Sequence, residues 1–104
     1  MNDSGFNGQE VTGKLIGIVS AKIRSPHVRV FYFGSRVEGR GTEKSDLDLG
    51  IEAEDEIPGK LMIEIKELAD SIPIMQKIDV VDFKRVSAEF KKVALQKIEV
   101  IYEK

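Results

Sequence analysis

Cysteine and tryptophan are absent from the 104 residues, histidine occurs once and proline three times. Without cysteine the chain can have no disulfide framework, no thiolate nucleophile and no zinc-thiolate site. The one histidine, His27, follows Pro26 ahead of an apolar run and reads as an exposed loop residue rather than a general base. No apolar run approaches the ~20 residues that span a bilayer, and Met1 to Gln9 is polar with no hydrophobic signal core, which predicts a cytoplasmic protein off the membrane. Neither sign of charge dominates. Sixteen Lys and Arg against 18 Asp and Glu leave a net charge of -2, a balance that argues against nucleic acid as partner while leaving room for a local anion site. What remains is 41% hydrophobic and 33% charged, the composition of a folding globular domain. We expect a flexible lead-in over 1–9 and a single domain over 10–104.

Apolar residues recur at three- and four-residue steps from Glu10 to Arg24 (Val11, Leu15, Ile18, Val19, Ile23), which predicts an amphipathic helix stopped by Ser25 and Pro26. Val28 to Phe33 is β-branched and aromatic, a strand covered on both faces. Ser35 to Lys44 is polar and holds Gly39 and Gly41, a loop or short helix. Asp46 to Ile51 alternates as a second strand, with Asp46, Asp48 and Gly50 on one face. After an acidic loop from Glu52 to Glu56, Pro58 suits a helix start, and Leu61, Ile65, Leu68, Ala69 and Ile72 give the buried stripe, leaving Met62 and Ile63 as surplus apolar surface for a partner. A strand over Ile78 to Phe83, a helix over Ala88 to Gln96 and a last strand over Ile98 to Tyr102 complete the order. The short link after the first strand returns the second antiparallel, and the helical link after the second suits a right-handed parallel crossover. The fold class is α/β (α+β), a mixed sheet of three to four strands with helices packed on it.

That topology gathers chemistry at one rim. Residues two apart on a strand share a face, so the Asp46 and Asp48 carboxylates can share a metal. Alone, Asp-Leu-Asp would read as a solvated strand face. Asp79, however, interrupts the apolar run from Ile78 to Val81, where an unpaired carboxylate is costly, and strand three would bring it to the same rim. Asp82, three residues on, points to the opposite face and is not a fourth ligand. Three carboxylates suit Mg2+, which prefers oxygen ligands and substrate phosphates. Gly34 and Ser35 offer close backbone approach and a hydroxyl to those phosphates, with Arg36, Arg40 and Lys44 as counter-charge. Tyr32 and Tyr102 read as packing residues, and the acids from Glu52 to Glu56 as solvated surface.

Gly34-Ser35, Gly39, Ser45-Asp46-Leu47-Asp48-Leu49 and Asp79 resemble the signature of the DNA-polymerase-β-like nucleotidyltransferase superfamily, and more narrowly the minimal nucleotidyltransferases, the MNT proteins. The resemblance implies transfer of a nucleoside monophosphate from a nucleoside triphosphate, ATP first among donors, with pyrophosphate leaving. It implies two Mg2+ ions on Asp46 and Asp48, completed by Asp79 as catalytic and metal residues. Gly34, Ser35, Arg36, Gly39 and Ser45 would bind the nucleotide. MNT proteins are typically encoded with a HEPN partner and several pairs are toxin and antitoxin, so the expected acceptor is a hydroxyl of a HEPN toxin. Many members carry arginine where this chain has Glu38. A carboxylate facing a triphosphate would repel it, which sustains an alternative: a non-catalytic antitoxin module that binds nucleotide or partner without turnover. A third reading is a small-molecule acceptor, and the acceptor-binding helical domain that larger relatives add, without counterpart in these residues, speaks against it. The acceptor, the base and the oligomeric state are not legible in the residues.

Overall fold

In a computed structural model that describes residues 8–34, 37 and 46–104, the chain runs α1 (Gly8–Lys22), β1 (Val28–Phe33), β2 (Leu47–Ala53), α2 (Gly59–Asp70), β3 (Ile78–Asp82), α3 (Ala88–Ala94) and β4 (Glu99–Glu103). The expected order of elements is the observed one. The strands form a single sheet in the order β3-β2-β1-β4. Strand β1 lies antiparallel to both β2 and β4, and β2 lies parallel to β3, as the connection lengths require. The link through α2 is long enough for a parallel crossover; the loop or short helix expected over Ser35 to Lys44 lies, but for Val37, outside the described residues.

One face of the sheet packs against α1 and α2. Val11, Leu15, Val19 and Ile23 meet Val28, Val30, Tyr32, Leu49, Ile51 and Val80 in the main core, which is the stripe the periodicity of α1 predicts. Tyr32 is buried, and its hydroxyl lies 2.7 Å from Thr12 Oγ1 on α1. The opposite face carries a smaller aromatic core of Phe31, Phe33 and Phe83, beneath α3. Every residue of β1 except Arg29 is therefore buried.

Three expectations about packing are corrected. In α2 the buried residues are Met62, Ile65 and Ala69, continued by Ile72, while Leu68 is exposed. Both 61-65-68-72 and 62-65-69-72 are helical spacings, and packing against β3 and against α1, which is joined through Lys22 and Glu64 at 3.2 Å, selects the phase. Met62 is thus core rather than partner surface; Ile63 remains outside. Glu52 belongs to β2 instead of a solvated loop, because β2 pairs with β1 two residues beyond Ile51. Its carboxylate accepts hydrogen bonds from Arg29 at 2.8 Å and Lys91 at 2.9 Å, tying α3 to the sheet. Asp79 is exposed, so desolvation is not what makes it notable. Its position beside another carboxylate is.

Candidate functional site

The site is built by register. On β1 the last residue, Phe33, stands opposite Asp48 of β2, and Asp48 in turn stands beside Asp79 of β3. Directly paired residues project to the same face, so one row across three strands reads Phe33, Asp48, Asp79. Asp46 immediately precedes β2 and is exposed. Immediately after Phe33 the chain turns at Gly34, whose φ is +88°. A Cβ at that position would collide with the Asp48 carboxylate oxygen Oδ2. Glycine is thus required twice, for the left-handed backbone and for the space, and its bare backbone is what approaches Asp48. Of the residues expected to bind nucleotide, Gly34 lies at the acids; Ser35, Arg36, Gly39 and Ser45 lie outside the described residues.

The three carboxylates interact. Burial raises the pKa of Asp48, and the negative charges of Asp79 and Asp46 raise it further. Like charges held at one rim disfavour one another, and an added cation would remove that penalty. The donor set is hard oxygen, which fits Mg2+. Among the described residues no three acidic or histidine side chains already stand at the spacing of a bound ion, so the ion would have to draw these carboxylates together.

Behind the acids the next row of the same face is occupied by rings. Gly50, two residues from Asp48, leaves room for Phe31 and Phe83: a Cβ there would fall 2.7 Å from the Phe83 ring. Phe31 and Phe83 meet edge to face at 4.8 Å, and Phe33 and Phe83 at 5.1 Å. This aromatic floor was not foreseen in the sequence, where Phe83 reads only as the end of a strand; the signal that could have found it is Gly50 at a strand centre. Asp82, by contrast, lies on the α2 side as expected. It is buried and accepts from the backbone N–H groups of Ile57 at 2.8 Å and Lys84 at 2.9 Å, with Arg85 Nε at 3.4 Å. It holds the loop before α2 and takes no part in the acid trio.

A four-stranded mixed sheet backed by helices, with paired aspartates entering one strand and a glycine leaving its neighbour, defines a nucleotidyltransferase fold. Residues 18–104 match the polymerase β nucleotidyltransferase family, and the chain belongs to it. It is 32% identical over 79 residues to the Haemophilus influenzae "Probable protein adenylyltransferase MntA", covering 76% of this chain and 69% of that one. Among solved structures it is similar to a toxin-antitoxin with AMP-PNP, at TM-score 0.73 and 20% identity over 88% of this chain and 72% of that one. It is also similar, at TM-score 0.71 and 18% identity, to the complex of a tri-AMPylated Shewanella oneidensis HEPN toxin with its MNT antitoxin, over 90% of this chain and 71% of that one. No described helix is long and apolar enough to cross a membrane.

Proposed function

We propose that this nucleotidyltransferase transfers AMP from ATP to a hydroxyl of a HEPN toxin and so acts as its antitoxin, with Asp46, Asp48 and Asp79 as the catalytic and metal-holding residues. The observation that carries the reading is the placement of Asp48, which faces Asp79 across one strand boundary and the bare Gly34 backbone across the other. Carboxylates alone would repel a triphosphate; carboxylates beside a close-approach glycine suit a metal-bound one. The kinship with an adenylyltransferase and the fold shared with antitoxins in toxin complexes support the same choice of donor and acceptor.

Asp46 and Asp48 would hold two Mg2+ ions, with Asp79 completing the set. Bound there, the ions supply Lewis-acid stabilisation of the attacking and leaving oxygens. The remaining work falls to the chain. Gly34 lets the turn lie against Asp48 and would bring its backbone close to the phosphate oxygens, to which Ser35, Arg36, Gly39 and Ser45 would donate. Asp79, the exposed member of the Asp48–Asp79 pair, orients the acceptor hydroxyl and draws on its proton as the hydroxyl oxygen bonds to the α-phosphorus. The bond from that phosphorus to the bridging oxygen breaks, and pyrophosphate leaves.

The test is co-expression with the product of the adjacent reading frame, which the proposal requires to be a HEPN protein, followed by incubation with Mg2+ and labelled ATP. Label is expected on the toxin with the wild type and none with D46N/D48N. A wild type that transfers no label from any of the four nucleotides, with Mg2+ or Mn2+, would sink the proposal. Undiminished neutralisation of the toxin by D46N/D48N would show that binding is enough, the outcome Glu38 raises.

A further inference from the structure

On the sheet face that carries the acids, α3 holds an aromatic ring partly in solvent. Phe90 is 43% exposed, although its ring packs edge-on to Phe33 at 6.0 Å and lies tilted against Phe83 at 5.8 Å. Phe33 is the residue directly opposite Asp48. Phe90 therefore stands one ring beyond the carboxylate that meets both Gly34 and Asp79.

The position is fixed. Ser87 caps α3 by accepting from the Phe90 N–H at 3.1 Å, and the next residue, Lys91, reaches Glu52 of β2 at 2.9 Å. Phe90 thus covers the edge of the ring cluster while part of its own ring stays open to water, an uncharged and pre-positioned aromatic surface on the face that carries the acids. Val93, three residues on along α3, is exposed as well.

The geometry points to Phe90 as the platform on which the base of the substrate nucleotide stacks, a reading that rests on the nucleotidyltransferase site proposed at Asp46, Asp48 and Asp79. A nucleoside triphosphate whose phosphates lie at Gly34 and the acids must send its sugar and base away from that charged row. Along the same face the first uncharged, solvent-facing ring beyond Phe33 is Phe90. Stacking on an aromatic ring suits any base, since each has a π-face, and the edge contacts with Phe33 and Phe83 hold the ring in place before the ligand arrives. A protein acceptor could also cover Phe90 and Val93, but only the base is tethered, through the ribose, to the phosphates that the acid row would take, which is why the base is assigned here.

The absence of tryptophan from the chain makes F90W a single fluorescent reporter at this position. Binding of Mg-ATP and of Mg-tripolyphosphate, which lacks sugar and base, is measured by calorimetry for the wild type, F90A, F90L and F90W. The wild type is expected to bind ATP more tightly than tripolyphosphate. F90A should lose on the order of tenfold in ATP affinity and none in tripolyphosphate affinity. F90L, which keeps apolar bulk without a ring, should lose ATP affinity too. F90W should retain it, with emission quenched by ATP and unchanged by tripolyphosphate. Wild-type ATP affinity in F90A, an equal loss for both ligands, or F90W emission indifferent to ATP would each overturn the platform, and F90A weakened only toward the toxin would assign the patch to the acceptor. In all of these the acid site stands, because the wild type still binds tripolyphosphate. A wild type that binds neither ligand overturns the site and the platform together.

Discussion

Asp48 ionises against the resistance of its surroundings: its burial first, then the carboxylates of Asp79 and Asp46, push its pKa above the usual carboxylate value. The folded chain therefore keeps this proton to a higher pH than the unfolded chain does. The stability the proton contributes is full below the unfolded pKa and is lost as pH rises through the folded one. At neutral pH, with metal removed by EDTA, the wild type has lost that contribution, whereas asparagine never ionises. D48N should consequently melt higher than the wild type at pH 7, with the difference shrinking toward pH 3; thermal denaturation across that range checks it. An unchanged or lower melting temperature at pH 7 would mean that the three acids do not strain one another. Gly34 belongs to this scale as well, since the space it leaves is taken up by the Asp48 carboxylate.

Elements are held to the sheet by quite different means. Helix α2 is anchored by apolar burial, and Met62 and Ile63 sit side by side in sequence with opposite fates, 8% and 58% exposed. M62K should cost about 3 kcal/mol of stability by placing an unpaired cation in the core, while I63K should fall within about 0.5 kcal/mol of the wild type. Denaturant melts of the two variants give the comparison, and equal costs would mean that the helix sits in the other phase. Helix α3 has no buried residue of its own; Phe90 rests on Phe33 and Phe83, and Lys91 adds a charged tether to Glu52. Burial alone would raise the Glu52 pKa, but hydrogen bonds from Lys91 and Arg29 outweigh it and hold the carboxyl below its ordinary value. That contribution is present above the unfolded pKa of Glu52 and is lost as pH falls through the folded one. Replacing the charge in E52Q should cost about 1.5 kcal/mol at pH 7 and less in acid. A loss that did not shrink on acidification would point to packing rather than to the ion pairs. Acidification thus relieves one end of β2 at Asp48 and loosens the other at Glu52.

For the molecule as a whole, a ligand that binds only the folded state must raise its melting temperature. Mg-ATP at about 100 times its Kd should stabilise the wild type by about 2.7 kcal/mol, and D48N should show little of that shift despite its higher starting point. The two effects have opposite signs in one variant, so simple destabilisation cannot imitate them. A full Mg-ATP shift in D48N, seen by scanning calorimetry, would place the nucleotide elsewhere.

The order of elements and the rim of acids were legible in the residues. Helix and strand periods are local, the Gly34 to Asp48 spacing lies within one hairpin-like unit, and a helix-length crossover fixes β3 beside β2. The placement of β4 on the free edge of β1 was not legible, because nothing in Glu99 to Glu103 distinguishes that edge from β3's. Nor was the phase of α2, since two helical spacings share Ile65 and Ile72 and only packing against α1 and β3 separates them. Asp79 attracted notice for a burial it does not have; what matters is its register with Asp48. The ring cluster around Gly50 and the Glu52 tether of α3 join residues from three elements each. Local sequence determined which residues could do chemistry at this rim, because strand alternation and turn geometry act over a few bonds. Only the tertiary structure decided what surrounds them, because pairing register and helix phase are chosen by the summed burial of surfaces distant in sequence.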